Sequence, residues 1–207
     1  MKKTQVIFIL DRSGSMAGLE SDTIGGFNAM LTKQKKEEGH VYVTTVLFDD
    51  RYEVLHDGIA IDKAKLLTSE DYFVRGTTAL LDAMGKSIES MIRKQKNKDD
   101  KVLFVIITDG YENASKHYSQ REVKRMIERQ KEAFGWEFVF LGANIDAIEV
   151  ADSYGISKEK AVNYHADQAG TELNFSAISA VVSDIRHDKA IDESWKREID
   201  EDYIKRS

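Results

Sequence analysis

The sequence contains no cysteine and no proline. Without cysteine the chain has no disulfide bond, no zinc site built on thiolates and no cysteine nucleophile, so thiol chemistry is excluded. At an average proline content of about 5%, a chain of 207 residues would hold about ten prolines. Their absence excludes a proline-rich linker and a polyproline ligand segment.

An excess of basic charge is also missing. Lys and Arg together number 30 against 36 Asp and Glu, which gives a formal net charge of −6. The basic loop from Arg93 to Lys101 is interrupted by Asp99 and Asp100 and contains no aromatic residue. This balance favours solubility and gives no reason to expect a nucleic-acid partner.

Long hydrophobic runs are absent as well. The N-terminal apolar run ends at Asp11, which makes it too short for the hydrophobic region of a signal peptide or for a membrane span. We therefore expect a cytoplasmic protein without a membrane partner. Hydrophobic residues make up 42% of the chain and are spread along it, as in a globular domain. We expect one domain over residues 1–187 and a charged helical tail over residues 188–207.

Strand and helix patterns alternate along the chain. The β-branched runs 4–10 and 102–108 are typical of strands buried on both faces of a parallel sheet. Further strands are predicted at 41–48, 136–141 and 161–164, and helices at 19–36 with Gly39 as C-cap, from 78 to about 92, at 121–134, 147–154 and 173–185. The run 52–61 follows a short polar turn and predicts one antiparallel strand. The pattern indicates an α/β fold, a three-layer, doubly wound, Rossmann-like arrangement with a mostly parallel central sheet.

Polar side chains follow the two most apolar strands. The first strand ends in Asp11-Arg12-Ser13-Gly14-Ser15, and the other ends in Thr108-Asp109-Gly110. Ligands of open α/β sheets bind at the carboxyl ends of the strands, where these two loops are expected to meet. Hydroxyl and carboxylate oxygens suit Mg²⁺ or Mn²⁺, whereas the five histidines show no spacing typical of a zinc site.

Three segments carry a resemblance to a known family. Asp11-x-Ser13-x-Ser15, Gly76-Thr77-Thr78-Ala79-Leu80 and Thr108-Asp109-Gly110 resemble the metal-ion-dependent adhesion site (MIDAS) of von Willebrand factor type A (vWA) domains. The resemblance covers about residues 4–186 and is closest to small intracellular members of prokaryotic or phage-like type. It implies that Ser13, Ser15 and Thr78 ligate the metal directly, and that Asp11 and Asp109 act through water or exchange into direct coordination. Thr77 replaces the usual second glycine and is an alternative to Thr78.

The resemblance implies a binding function without catalysis. A metal held largely by neutral hydroxyls stays electrophilic, so the domain is expected to capture an exposed Asp or Glu of a protein partner, as an adaptor does. The alternative is a Mg²⁺-dependent phosphotransferase or phosphohydrolase with Asp11 as nucleophile. Ser13 stands where such an enzyme would carry its general acid, which disfavours it. The identity of the partner and the oligomeric state are left open.

Several other polar and aromatic residues have simpler interpretations. Thr78 is also a candidate N-cap for the helix that follows it. The segment with Glu112, Asn113 and Ser115 is interpreted as a solvated turn. Trp136 is expected in the core, and Trp195 is expected to anchor a terminal helix to the domain.

Overall fold

The computed structural model describes residues 2–207, and these form one six-stranded sheet in the order β3-β2-β1-β4-β5-β6 with helices on both faces. Met1 lies outside the described residues. The strands are β1 (Thr4–Asp11), β2 (Val41–Phe48), β3 (Tyr52–Ala60), β4 (Lys101–Thr108), β5 (Glu137–Gly142) and β6 (Ala161–Asn163). The helices are α1 (Glu20–Gln34), α2 (Leu80–Lys94), α3 (Gln120–Phe134), α4 (Ala147–Ser153), α5 (Gln168–Arg186) and α6 (Arg197–Arg206).

The centre of the sheet is parallel. β1 lies between β2 and β4 and pairs with both in parallel, with Leu10 opposite Leu47 on one side and Ile107 on the other. β5 and β6 continue the parallel order beyond β4. β3 pairs antiparallel with β2, and the short polar turn connects the two strands. The predicted fold class, with its single antiparallel strand, is confirmed.

The two faces of the sheet have separate cores. Val6, Phe8 and Leu10 of β1 point into a core formed with α1 and α5, while Ile7 and Ile9 point into a core formed with α2, α3 and α4. Successive strand residues alternate between faces, so a continuous apolar run supplies both cores. Trp136 is 2% exposed, as expected for a core residue, and it stacks on Phe104.

Helix ends differ most from the sequence predictions. α5 begins at Gln168 because the side chain of Asp167 accepts a hydrogen bond from the amide of Gly170 at 2.8 Å. α1 ends at Gln34, so the prediction that Gly39 caps this helix is wrong. Gly39 instead takes a positive φ of 117° in the connection to β2.

The C-terminal residues pack on the end of the sheet near β6. The indole nitrogen of Trp195 donates to the carbonyl of Glu159 at 2.9 Å, and Ile199 of α6 is 1% exposed. Arg206 pairs with Asp167 at the start of α5. The division between the domain and the tail stays a prediction. None of the helices formed by residues 2–207 is long and apolar enough to cross a membrane.

Candidate metal centre

The carboxyl ends of β1 and β4 bring the predicted site residues together. Asp11 is the last residue of β1 and Asp109 follows the last residue of the neighbouring parallel strand β4. Ser13 lies in the loop after β1, and Thr78 lies just before α2. The site therefore draws on three segments: the loop after β1, the loop after β4 and the segment before α2.

A chain of hydrogen bonds links the hydroxyl groups of the site. Thr78 Oγ1 donates to Ser13 Oγ at 3.0 Å, and Ser13 Oγ and Ser15 Oγ share a hydrogen bond of 3.1 Å. Ser15 Oγ donates to Asp109 Oδ1 at 2.5 Å. Three hydroxyls and one carboxylate therefore lie side by side. Ser15 is exposed, whereas Ser13 and Thr78 are buried, so the group opens to solvent at Ser15.

Asp11 is held from inside the protein. Its Oδ1 accepts from the amide of Ser13 at 2.7 Å, and its Oδ2 accepts from Thr108 Oγ1 at 2.5 Å. The hydroxyl of Tyr72 donates to the carbonyl of Asp11. The side chain is 1% exposed, so its orientation is fixed by these contacts. Asp11 is thus placed to support the loop that carries Ser13 and Ser15.

The two carboxylates of the site are electrostatically uncompensated. Burial, with a smaller contribution from the nearby charge of Asp109, raises the pKa of Asp11 to about 6, in spite of hydrogen bonds that act to lower it. Burial likewise raises the pKa of Asp109. Within residues 2–207 neither carboxylate forms a salt bridge, and Asp109 Oδ2 is buried without a hydrogen-bond partner. A cation placed here would satisfy both deficits.

Thr78 and Thr77 have different environments. Thr78 is 3% exposed and contacts Ser13, whereas Thr77 is exposed. The structure therefore places Thr78, and not its alternative, beside the other hydroxyls. Gly76 supplies the left-handed conformation of this loop with a φ of 68°, and Thr77 is not among the residues with positive φ. The replacement of the second glycine by Thr77 therefore requires no strained backbone.

The N-terminus of α2 is capped by side chains of the loop after β4, which lies later in the chain. Ala79 is the N-cap residue and has no capping side chain, so the prediction that Thr78 caps this helix is wrong. Instead, Glu112 Oε2 accepts from the amide of Leu81 at 2.8 Å, and Ser115 Oγ accepts from the amide of Asp82 at 2.9 Å. Free amides at a helix start need such acceptors.

The interpretation of residues 112–115 as a solvated turn is also wrong. Asn113 Oδ1 accepts from the amide of Thr78 at 2.9 Å, and the amide of Asn113 donates to the carbonyl of Thr78 at 3.0 Å. The loop after β4 therefore holds the backbone of Thr78, one of the candidate metal ligands, in place. The sequence carried no clear signal for this contact, because Thr78 offered a local candidate for the N-cap and only the structure places Ala79 there.

The chemistry of the donors restricts the type of metal. In the described part of the chain, no group of three or more His, Cys, Asp or Glu side chains is arranged to hold a metal ion. The candidate centre instead combines three hydroxyls with two carboxylates. Such all-oxygen surroundings suit a hard cation and lack the nitrogen or sulfur ligands typical of structural zinc sites.

Known structures share this fold. The chain resembles proximal thread matrix protein 1 from the mussel byssus with a zinc-occupied MIDAS motif, at 14% identity and a TM-score of 0.63, over 87% of this chain and 46% of that one. It resembles manganese-loaded Plasmodium vivax TRAP protein, at 15% identity and a TM-score of 0.58, over 83% and 72% of the two chains. The VWA domain of SpRpn10 aligns at 14% identity and a TM-score of 0.60, over 86% and 95%.

These likenesses show the fold, because the identities are low. The chain spans about half the length of the mussel protein. No curated protein sequence gives a significant match. The family model described as "VWA domain containing CoxE-like protein" matches residues 1–137, which is more than half of the chain and includes all five candidate site residues. The chain therefore belongs to the family of VWA domain containing CoxE-like proteins.

Proposed function

We propose that this protein binds one divalent hard cation, Mg²⁺ or Mn²⁺, and through it an acidic residue of a partner protein. Ser13, Ser15 and Thr78 would hold the cation directly, and Asp11 and Asp109 would support it. The observation that carries the proposal is Asp109 Oδ2, a buried oxygen with no hydrogen-bond partner among residues 2–207, beside three linked hydroxyls. A buried polar atom left unpaired is costly, which makes it a marker of a missing ligand.

The charges of the site support a cation. Asp11 and Asp109 together match the charge of a divalent ion, and neither forms a salt bridge with a described basic side chain. Two structures that share this fold are described with a divalent metal, the Plasmodium protein as manganese-loaded and the mussel protein with zinc in its MIDAS motif. The preference for Mg²⁺ or Mn²⁺ in this chain is part of the proposal and follows from its oxygen donors.

The open side of the site defines how a partner would reach it. Ser15, Gly76 and Thr77 are exposed, while Ser13 and Thr78 lie beneath them. When bound, the cation would offer a coordination position to an incoming carboxylate. Because three of the donors are neutral hydroxyls, an anionic oxygen gains more there than water does. This is the interaction expected of a binding module, and we propose no catalytic role.

The environment of Asp11 weighs against the phosphotransferase alternative. Both carboxylate oxygens of Asp11 already accept hydrogen bonds, from the Ser13 amide and from Thr108 Oγ1. A nucleophile needs an accessible oxygen, and Asp11 is 1% exposed. Ser13 also lacks the acidic function that would protonate a leaving group. Absence of Asp11-dependent phosphate ester hydrolysis in the presence of Mg²⁺ is the expected assay result.

Calorimetric titration with Mn²⁺ and Mg²⁺ tests the cation site. Wild type is expected to bind one ion, and Thr78→Ala is expected to lose at least ten-fold in affinity because it removes one direct donor. Thr77→Ala is the matched control, since Thr77 is the adjacent residue of the same type and is exposed. Equal binding by wild type and Thr78→Ala, or no heat with either metal, would contradict the proposal.

Carboxylate capture needs its own test. The probes are N-acetyl-aspartate amide and N-acetyl-asparagine amide, which differ in charge and hardly in shape. Titrated into Mn²⁺-loaded protein and followed by water-proton relaxation, the aspartate compound is expected to displace bound water at lower concentration than the asparagine compound. The same response to both probes would show that the site does not select a carboxylate.

A further inference from the structure

A buried group of charged residues lies beside the candidate metal centre. Arg12 stands between Asp11 and Ser13 in sequence, yet its side chain is fully buried and is directed at other partners. Its Nε lies 3.0 Å from Asp49 Oδ2, and its Nη2 lies 2.7 Å from Glu53 Oε1. Asp49 is also completely buried. The positive charge of Arg12 is therefore paired with Asp49 and Glu53, and not with Asp11 or Asp109 of the candidate site.

Arg75 joins the same group from the loop before α2. Its Nε lies 2.7 Å from Asp49 Oδ2, the oxygen that Arg12 also contacts, and its Nη2 pairs with Glu53. The ring of Phe73 lies 5.2 Å from the Arg12 guanidinium and 5.0 Å from that of Arg75. Two guanidinium groups and two carboxylates balance in charge, so this network is neutral without a contribution from the metal site.

Backbone hydrogen bonds connect the network to both hydroxyl-bearing loops. The amide of Arg75 donates to the carbonyl of Arg12 at 3.0 Å, and the amide of Gly14 donates to the carbonyl of Gly76 at 3.1 Å. On the other side of Thr78, the amide of Ala79 donates to the carbonyl of Asp49 at 3.0 Å. Backbone hydrogen bonds therefore hold segment 75–79 on both sides of Thr78. The partners are Arg12 and Gly14 on one side and Asp49 on the other.

We infer that the Arg12–Asp49–Arg75 network positions Thr78 beside Ser13, and that Arg75 is a positioning residue of the metal site. The inference rests on the proposed cation-binding function. Arg75 contacts none of the candidate ligands through its side chain, so it acts through the backbone of its own loop. The Arg75 guanidinium donates one hydrogen bond to Asp49 and one to Glu53, and two directed contacts restrict its geometry, which suits this role.

Electrostatics and positioning predict opposite effects for loss of Arg75. If Arg75 acts only as a nearby positive charge, Arg75→Ala strengthens cation binding by removing repulsion. If Arg75 positions Thr78, the same substitution weakens binding. In calorimetric titration of the full chain with Mn²⁺, we expect Arg75→Ala to lose at least ten-fold in affinity and Arg75→Lys to lose less, because lysine keeps one charged contact.

Arg51→Ala is the matched control. Arg51 lies in the turn between β2 and β3, is exposed, and has no side-chain ion pair within residues 2–207. It is expected to bind Mn²⁺ as tightly as wild type or slightly more tightly. Binding by Arg75→Ala that equals or exceeds that of wild type would overturn the inference. Should Arg75→Ala fail to fold, Arg75→Lys decides, and wild-type affinity in that variant would overturn the inference equally.

Hydrogen exchange separates this inference from the proposed function. In chelator, the amides of Arg75 and Ala79 are expected to exchange faster in Arg75→Ala than in wild type, while amides in α3 keep their protection. This result is independent of metal binding. If wild type binds no Mn²⁺, the proposed function fails and the exchange data still test the network. Unchanged protection at Ala79 in Arg75→Ala would then overturn the inference.

Discussion

Asp11 and Asp109, the two carboxylates at the ends of the central strands, differ in their hydrogen bonding. Each carboxylate oxygen of Asp11 accepts a hydrogen bond. In Asp109 one oxygen accepts from Ser15, and the other has no partner in the part of the chain that the structure describes. Both pKa values are raised by burial, so the ionised forms are disfavoured in the metal-free protein. If the site binds a cation as proposed, that cation would relieve this electrostatic cost.

Asp109→Asn is predicted to separate stability from binding. Removing one of two neighbouring buried negative charges should raise the thermal midpoint of the chelated protein and abolish its response to Mg²⁺. A gain of about 1 kcal/mol corresponds to about 2–4 °C for a protein of this size. Thermal unfolding in chelator and in Mg²⁺ measures both effects. Asp99→Asn, an exposed carboxylate in the loop before β4, is the control and should change neither.

At the scale of elements, the start of α2 depends on the loop after β4. Glu112 accepts hydrogen bonds from the amides of Leu81, Ala114 and Ser115. One carboxylate therefore closes its own loop and caps a helix that comes earlier in the chain. Thr78 precedes the N-cap residue Ala79, and the Asn113 side chain accepts a hydrogen bond from the Thr78 amide. The cap and the candidate site therefore form one structural unit.

Glu112→Ala is predicted to lower the free energy of unfolding. Loss of the cap leaves an amide of α2 and two loop amides without their acceptor, with an expected cost of about 1–2 kcal/mol, as for other helix caps. Urea unfolding monitored by circular dichroism measures this change. Glu132→Ala on the exposed surface of α3 serves as the comparison and should stay within about 0.5 kcal/mol of wild type. Equal midpoints for both variants would show that the cap carries no stability.

The carboxylate of Asp82 connects α2 to the loop before α3, and the stability that this connection contributes is expected to depend on pH. Burial alone would raise its pKa, but hydrogen bonds from the amides of Lys116, His117 and Tyr118 outweigh burial and lower it. A lowered pKa in the folded state means that the contribution is complete above the unfolded value, near 4, and is lost as pH falls through the lower folded value.

Asp82→Asn is therefore predicted to be less stable than wild type at pH 7, by about 2 kcal/mol for hydrogen bonds to a charged acceptor. The difference should shrink steadily as pH falls below about 4. Urea unfolding of both proteins across the range from pH 7 to pH 3 measures it. A difference that stays constant over that range would show that the charge of Asp82 contributes nothing.

For the whole molecule, we expect a cation at the candidate site to add little stability to the hydrophobic cores. Two hydrophobic cores cover the faces of the sheet, and neither depends on the candidate metal ligands. The protein should therefore remain folded in chelator. Metal at ten times its dissociation constant should add about 1.4 kcal/mol through RT ln(1 + [L]/Kd).

Circular dichroism in excess chelator tests this expectation directly. The spectrum should keep its helical signal, and only the thermal midpoint should fall. Loss of the helical signal on chelation would assign the cation a structural role instead. The cytoplasmic location is a separate matter and stays a prediction.

The sequence was informative wherever a feature depends on neighbouring residues. The continuous apolar runs 4–10 and 102–108 located the central strands, and residues Asp11, Ser13, Ser15 and Asp109 followed from their places at the strand ends. Periodicity located the helices well, but the predicted start of α5 at residue 173 differs by five residues from the observed start at Gln168. A helix end depends on a single capping contact, and such a contact is weakly encoded in composition.

The sequence by itself determined the fold class and the types of residue at the candidate site, because burial on both faces and the loops at strand ends leave a local pattern. Only the tertiary structure decided that Thr78 lies beside Ser13 while Thr77 faces solvent. Only it revealed Arg12 paired with Asp49 and Glu112 capping α2. The physical reason is that these contacts join residues far apart in the chain, so their geometry exists only once the sheet and helices have packed.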